Sequence, residues 1–210
     1  MTLDDHLGAR VDALLQAARG DGRRRLLGLV GAPGAGKSTL AAQIARYRPL
    51  DVVVVPMDGF HLAQTELERL GRADRKGAPD TFDAAGYVAL LRRLRAADPG
   101  ETVYAPEYRR DLRNGVAGAI AVPPDVPLVV TEGNYLLLDR DGFTPVAGLL
   151  DESWFVAPDD RVRLARLVAR HVEFGKEPHT AHAWAHGPDE DNARLVVATA
   201  ARADVVVHRT

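Results

Sequence analysis

Leu26-Leu27-Gly28-Leu29-Val30-Gly31-Ala32-Pro33-Gly34-Ala35-Gly36-Lys37-Ser38-Thr39 is an apolar run that breaks into a glycine-rich loop with the pattern G-x-x-x-x-G-K-[ST]. Gly31, Gly34 and Gly36 carry no Cβ, so the backbone can turn tightly and aim several N–H groups at one chain of phosphates. Ala32 and Ala35 lie within the same cradle. Lys37 supplies a point charge for the β and γ phosphates of a nucleoside triphosphate, the Ser38 hydroxyl is placed to ligate Mg²⁺, and Thr39 extends the polar start of a helix. Leu26–Val30 reads as a buried strand and Leu40–Ala45 as a helix, the strand–loop–helix order that such a loop requires.

The chain around this motif has 210 residues, 46% hydrophobic and 27% charged, enough to bury the core of one α/β domain, expected to span 1–210. A net charge of −2 offers no broad basic surface for nucleic acid or acidic membrane, so anion binding has to be local. The absence of cysteine excludes disulfides and thiol catalysis. Asp4, Asp5, Arg10, Asp12 and Arg19 disqualify the first twenty residues as a signal peptide, and no apolar run approaches membrane-spanning length. The expectation is a cytoplasmic protein with a small-molecule partner, monomeric or homodimeric.

Leu3, Leu7, Val11, Leu14, Leu15 and Ala18 fall at helical spacing, predicting an N-terminal helix within 1–22 that ends at Gly20 and Gly22. Val52–Val55 is a β-branched run of the kind found in parallel strands covered on both faces. Residues 71–83 read as a basic loop before a helix carrying Tyr87, Leu90, Leu91 and Leu94. Thr102–Tyr104 reads as a short strand followed by a loop over Ala105–Arg110, and Val126–Thr131 as a buried strand that stops at Glu132. Trp154–Val156 and Asp204–Val207 complete the strands; Asp160–Phe174 and Asp191–Arg202 are predicted helices. Strands alternating with helices imply a parallel sheet, with ligands outside the carboxyl ends of its strands.

Asp58 and Glu132 each follow an apolar strand, so three strand ends converge on one crevice. A carboxylate there can take the proton of an attacking hydroxyl or bind Mg²⁺; Asp58 is assigned as base and Glu132 to the metal, with ordinary turn formation as the alternative for both. Arg163, Arg166 and Arg170 lie within about 60° of one another on a helix, beside an apolar face of Leu164, Leu167 and Val168. This is either a lid that brings guanidinium groups onto a phosphate or a solvated helix face. His179, His182 and His186 have no carboxylate at ligand spacing, so a metal reading is set aside in favour of a surface segment. His61 either faces a substrate or caps a helix starting near Leu62.

With these residues in view, the chain resembles the phosphoribulokinase, uridine kinase and pantothenate kinase group of P-loop kinases. The resemblance rests on Gly31–Thr39, Met57-Asp-Gly-Phe-His61, Lys76-Gly-Ala-Pro-Asp-Thr-Phe-Asp83, Thr131-Glu-Gly-Asn134 and the Arg163–Arg170 segment, and covers residues 24–207. Asp-Gly-Phe-His and Lys-Gly-x-Pro-x-x-Phe-Asp look most like a bacterial branch called nucleoside/nucleotide kinase family proteins or fructose-transport kinases. The resemblance implies a three-layer P-loop NTPase fold with a parallel sheet flanked by helices and an Arg-rich lid over 159–190. It also implies ATP- and Mg²⁺-dependent transfer of a phosphoryl group to a hydroxyl of a nucleoside, sugar or pantothenate-like alcohol. Carried over residue by residue, it makes Asp58 the base, gives Lys37 and Ser38 the phosphates and metal, and assigns Arg166 and Arg170 to the lid. Lys76, Asp83, Tyr108 and Arg110 become substrate contacts. Where relatives tend to have Pro-x-Phe-Asp-Arg, this chain has Pro106-Glu-Tyr-Arg109-Arg110, a cation in place of a carboxylate that favours an anionic substrate. Asn192-Ala-Arg194 is a further segment of resemblance, with a role near adenine.

A regulatory NTPase would use the same loop for hydrolysis alone. The guanine-specifying Asn-Lys-x-Asp is absent, and Asp139-Arg-Asp-Gly142 lies beyond the point where a switch loop would start. A nucleotide-binding protein that has lost catalysis fits poorly with the presence of Lys37, Ser38, Asp58 and Glu132 together.

Overall fold

In the computed structural model, which describes residues 3–209, the apolar run before the glycine loop becomes β1 (Arg25–Val30), buried from Leu26 onward. The phosphate loop leads into α2 (Lys37–Tyr47). Ahead of them α1 (Asp5–Asp21) starts where the Asp4 carboxylate accepts from the His6 and Leu7 N–H groups and ends at Gly22. Gly20 lies inside this helix rather than ending it, and residues 1–2 of the predicted 1–22 segment lie outside the described residues.

β2 (Val52–Pro56), β5 (Leu128–Gly133), β6 (Glu152–Pro158) and β7 (Val205–Arg209) join β1 in a parallel sheet of order β2-β5-β1-β6-β7. Side chains alternate across it. Leu26 and Val30 pack on one face with Tyr87, Leu91 and Leu94 of α4 (Ala84–Ala96), while Leu27 and Leu29 pack on the other with Val11 and Leu15 of α1 and Leu40 and Ile44 of α2. The result is the expected α/β three-layer arrangement. The Val52–Val55 run is not a strand covered on both faces: β2 is the sheet edge, paired with β5 alone, and Val53 and Val54 are half-buried.

Residues 105–110 depart most from the sequence reading. Residues 105–109 belong to β3 (Val103–Arg109), with Arg110 opening the turn, and β3 pairs antiparallel with β4 (Asn114–Val122) in a separate hairpin whose register shifts between Ala105 and Glu107. β4 is built of small residues, Asn-Gly-Val-Ala-Gly-Ala-Ile-Ala-Val, without a sustained apolar alternation, so its strand character comes from pairing and docking rather than from its own pattern. The hairpin leans on a 3-10 turn, Met57–Phe60, that follows β2. Contact there is backbone on backbone: a Cβ at Gly59 would lie 2.3 Å from the Pro106 carbonyl oxygen, and one at Gly115 would lie 2.3 Å from that of Gly59.

α3 (Gln64–Arg69) is short and precedes the basic loop. Beyond β6, α5 (Asp160–Glu173) and α6 (Pro178–His186) pack on each other in the segment expected as a lid, and α7 (Pro188–Val197) returns the chain to β7. The predicted last helix over 191–202 is therefore two pieces, α7 and a 3-10 turn at Ala200–Arg202. His179, His182 and His186 are exposed on α6, where the His182 and His186 rings stack at 4.0 Å. Among the described residues no helix is long and apolar enough to cross a membrane.

Because Gly59 holds the hairpin against the turn that carries Asp58, Gly59→Ala should cost about 1–3 kcal/mol as overpacking, a fall in Tm of roughly 2–4 °C per kcal/mol for a chain of this size. Gly148→Ala, where an added methyl meets nothing within 4 Å, is the control. Equal Tm values for the two variants in thermal unfolding would refute this account of the hairpin contact.

Candidate active site

Thr131 sets the geometry at the carboxyl ends of the strands. Its buried hydroxyl donates to the Val55 carbonyl of β2 at 2.7 Å, which leaves its oxygen to accept from the Tyr87 hydroxyl at 2.6 Å. The chain α4–β5–β2 is thus tied together one residue before Glu132, and Pro56 pairs with Glu132 in register. Asp58 and Glu132 emerge side by side, with the phosphate loop on the next strand.

Gly34, at φ 82°, lets that loop pass directly beneath α5: a Cβ there would lie 2.7 Å from the Arg163 carbonyl oxygen. The Lys37 ammonium is buried and donates to the carbonyls of Gly31 (2.9 Å) and Ala32 (3.3 Å) and to Asn134 Oδ1 (2.7 Å). Burial pulls its pKa down, while the charges of Glu132 and Asp58 oppose the shift. The Ser38 hydroxyl donates to Glu132 Oε1 at 2.7 Å, and Thr39 is exposed one residue on. Glu132 is 5% exposed; burial first, and the Asp58 charge second, push its carboxyl above the usual range against the pull of Lys37 and Ser38.

A hydroxyl and a buried carboxylate as hard oxygen donors fit Mg²⁺, which takes one or two carboxylates and completes its shell with phosphate oxygens and water. Among the described residues no group of three or more His, Cys, Asp or Glu could hold a metal without such phosphates.

Asp58 lines an inner cavity of about 180 Å³ together with Pro33 of the phosphate loop, Asn134, His61, Tyr108 and Arg170. The His61 Nδ1–H donates to the Asp58 carbonyl at 2.8 Å, and its ring packs on Phe82 and Tyr108. Burial lowers its pKa, so the ring is neutral at neutral pH. It does not cap the following helix, since α3 begins only at Gln64 behind Ala63; it closes the preceding Met57–Phe60 turn. Lys76 Nζ donates to the Arg113 carbonyl at 2.7 Å and lies 5.5 Å from the Tyr108 ring.

The three lid arginines do different things. Arg170 lines the cavity, its pKa lowered by burial first and by Arg110 next, against the pull of Asp58, Asp189 and Glu132. Arg166 stands over the loop, with Nη1 3.9 Å from where a Gly36 Cβ would be. Arg163 faces no open site: buried, it pairs with Asp160 (2.9 Å) and Glu190 (2.6 Å) and donates to the Pro33 carbonyl, clamping the lid onto the loop.

Two expected substrate-side groups turn elsewhere. Asp83 is exposed, its Oδ1 accepts from the Gly86 N–H at 2.8 Å as the N-cap of α4, and it lines neither the inner cavity nor the one outside it. Arg109 points outward from β3 and pairs with Asp111 at 2.8 Å; Arg110 and Tyr108 line both cavities. Asn192 lies in the inner cavity beside Gly77 rather than in a separate pocket, and Arg194 pairs with Asp191 on the surface. The sequence reading missed Asn134 as the partner of Lys37 and the His171–Asp189 pair, in which Nε2–H donates at 2.6 Å. It also missed Arg113, Phe174, Lys176 and Trp184, which line the outer cavity. Asn134 stood inside a quoted motif; the others have no spacing signal, because the lid folds them in.

The sequence profile of the Phosphoribulokinase / Uridine kinase family matches residues 26–210. A candidate uridine kinase of Schizosaccharomyces pombe is 35% identical over 162 residues, 73% of this chain and 68% of the relative. The Escherichia coli K12 protein YggC is 33% identical over 193 residues, 90% of this chain and 79% of that one. The crystal structure of a candidate fructose transport system kinase from Silicibacter sp. TM1040 superposes with a TM-score of 0.81 at 37% identity, covering 94% of this chain and 98% of that one.

Glu132 gives a testable sign. Its folded-state pKa lies above the ordinary carboxylate range, so the native state holds this proton more tightly than the unfolded chain, and stability is lost as pH rises through the folded value. Glu132→Gln, uncharged at every pH, should therefore melt above wild type near pH 8, with the gain shrinking toward pH 4.5. Thermal unfolding followed by circular dichroism at several pH values checks this; a difference independent of pH would contradict it.

Proposed function

The chain belongs to the phosphoribulokinase / uridine kinase family, an ATP-dependent phosphotransferase family with alcohol acceptors, and on that premise we propose that it transfers the γ-phosphoryl group of ATP to a hydroxyl of a small metabolite bound beside Asp58. The observation that carries this reading is the convergence of Lys37, the Ser38–Glu132 pair and Asp58 at or beyond the ends of three adjacent strands, with Asp58 and Arg170 lining one cavity.

Each residue then has a defined task. Lys37, fixed by two carbonyls and Asn134, presents a positive charge to the β and γ phosphates. Ser38 and Glu132 would hold Mg²⁺, which when bound neutralises charge on the phosphate oxygens. An Asp58 carboxylate oxygen accepts the proton of the acceptor hydroxyl as the hydroxyl oxygen attacks the γ phosphorus and the bond from that phosphorus to the β,γ-bridging oxygen breaks, releasing ADP. Arg170 and Arg166 stabilise charge on the transferring group, and the lid keeps water out. His61, neutral and bonded to the Asp58 carbonyl, fixes the turn that carries the base. Nucleosides, sugars and pantothenate-like alcohols all present suitable hydroxyls. Hydrolysis without an acceptor would leave the cavity next to Asp58 without a purpose.

An ADP-release screen over nucleosides, pentoses, hexoses, pantothenate and their monophosphates is the direct test, and a rate no higher than basal hydrolysis throughout would sink the proposal. With an active acceptor, Asp58→Asn should lower kcat by roughly 10²–10⁴ while ATP affinity stays near wild type. Lys37→Ala should weaken both. Equal losses of ATP affinity in the two variants, read by calorimetric titration, would remove Asp58 from the role of base.

A further inference from the structure

Outside the inner cavity lies a second one of about 250 Å³. The two share Lys76, Tyr108, Arg110, Arg170, His171 and Trp184, so they are continuous. The outer one is lined by five cationic side chains, Lys76, Arg110, Arg113, Arg170 and Lys176, and by no carboxylate. Among the described residues none of these five has a carboxylate oxygen within ion-pairing distance, whereas Arg109, one position away, takes Asp111, and the buried Arg163 takes two acids.

Aromatic faces lie against three of them instead. Arg110 stacks 5.0 Å from the Phe174 ring, Lys176 lies 4.3 Å from the Trp184 ring and Lys76 lies 5.5 Å from the Tyr108 ring. A ring face positions a cation without neutralising it, so donors remain for a ligand. Collecting five like charges in so small a volume is costly, and burial together with Arg113 depresses the pKa of both Lys76 and Lys176. Nothing in residues 31–39 lines this space, so ATP bound at the phosphate loop does not account for the charge. Asp58 lines the inner cavity and not the outer, which separates the site of chemistry from the site of charge.

We propose that the phosphoryl acceptor carries an oxyanion, a carboxylate or a phosphate, remote from its reacting hydroxyl, and that Arg110, Arg113, Lys76 and Lys176 hold that group in the outer cavity while the hydroxyl reaches Asp58. This rests on the kinase reading above and narrows its substrate class. The charge bias comes from the hairpin turn and the α5–α6 connection, not from Arg109.

The full-length chain can be tested with sets in which one end of a neutral compound is converted to an oxyanion: ribose, ribonate and ribose 5-phosphate; glucose, gluconate and glucose 6-phosphate; uridine and its 5′-monophosphate. In an active set, an anionic member should exceed its neutral counterpart in kcat/KM by about ten-fold or more, the scale of one charge-assisted contact. Ribonate and gluconate against the two sugar phosphates separate carboxylate from phosphate. Arg113→Gln and, independently, Lys176→Gln should each raise KM for that anion by about ten-fold and leave KM for ATP within about two-fold. A neutral member used as well as its anionic partners, with KM unmoved in both variants, would overturn the proposal.

Binding provides the second arm. Trp184 lines the cavity whereas Trp154, the other tryptophan, is fully buried, so inorganic phosphate should perturb Trp184 fluorescence in wild type and much less in Arg113→Gln. If no compound raises ADP release but phosphate still binds in this Arg113-dependent way, the anion site stands and phosphoryl transfer fails. If phosphate leaves the fluorescence unchanged at millimolar concentration, the anion site itself is refuted.

Discussion

Taking Glu132 out of water is the constraint on which the rest of the structure depends. A buried carboxylate is costly unless charge and hydrogen bonds compensate it, and here the compensation comes from the Ser38 hydroxyl and the neighbouring ammonium of Lys37. Lys37 is itself buried and needs two carbonyls and Asn134. Asp58 adds a second negative charge that favours the ammonium and disfavours ionised Glu132. The three groups form one electrostatic unit held by three strands.

Such a unit needs a rigid frame, and the fold provides it away from the charges. The Tyr87–Thr131–Val55 chain ties α4, β5 and β2 together immediately behind the site. On the other side Arg163 spans Asp160, Glu190 and the Pro33 carbonyl, joining α5 and α7 to the phosphate loop. The unfavourable terms are concentrated in the opening between these two braces, where a nucleotide and a metal would relieve them.

The acceptor side is built differently. It has little sheet structure of its own: the β3–β4 hairpin, the turn at Met57–Phe60 and the ends of α5 and α6 meet there through backbone contacts and aromatic faces. Gly59 and Gly115 permit the approach that brings Tyr108 and Arg110 beside Asp58. Such parts can vary between relatives without disturbing the phosphate loop, a physical reason for one scaffold to serve several acceptors.

What the sequence determined by itself was the nucleotide half. Gly31–Thr39 carries its chemistry in contiguous residues, and the apolar runs ending at Pro56 and Gly133 place Asp58 just beyond one strand and Glu132 at the end of another. Periodicity resolved these elements because they are buried and regular. It did not resolve β3–β4, whose small residues carry no period, nor the split of 191–202 into α7 and a turn. Tertiary structure alone decided the division of the lid arginines: equal spacing on one helix face leaves Arg163 clamped by two acids and Arg170 open to the cavity, because Glu190 arrives from a different helix. It likewise turned Asp83 into a helix cap and brought Arg113 and Lys176, far apart along the chain, to one cavity. Local sequence dictates which groups a segment carries; which of them remain without a partner depends on what the fold brings against them.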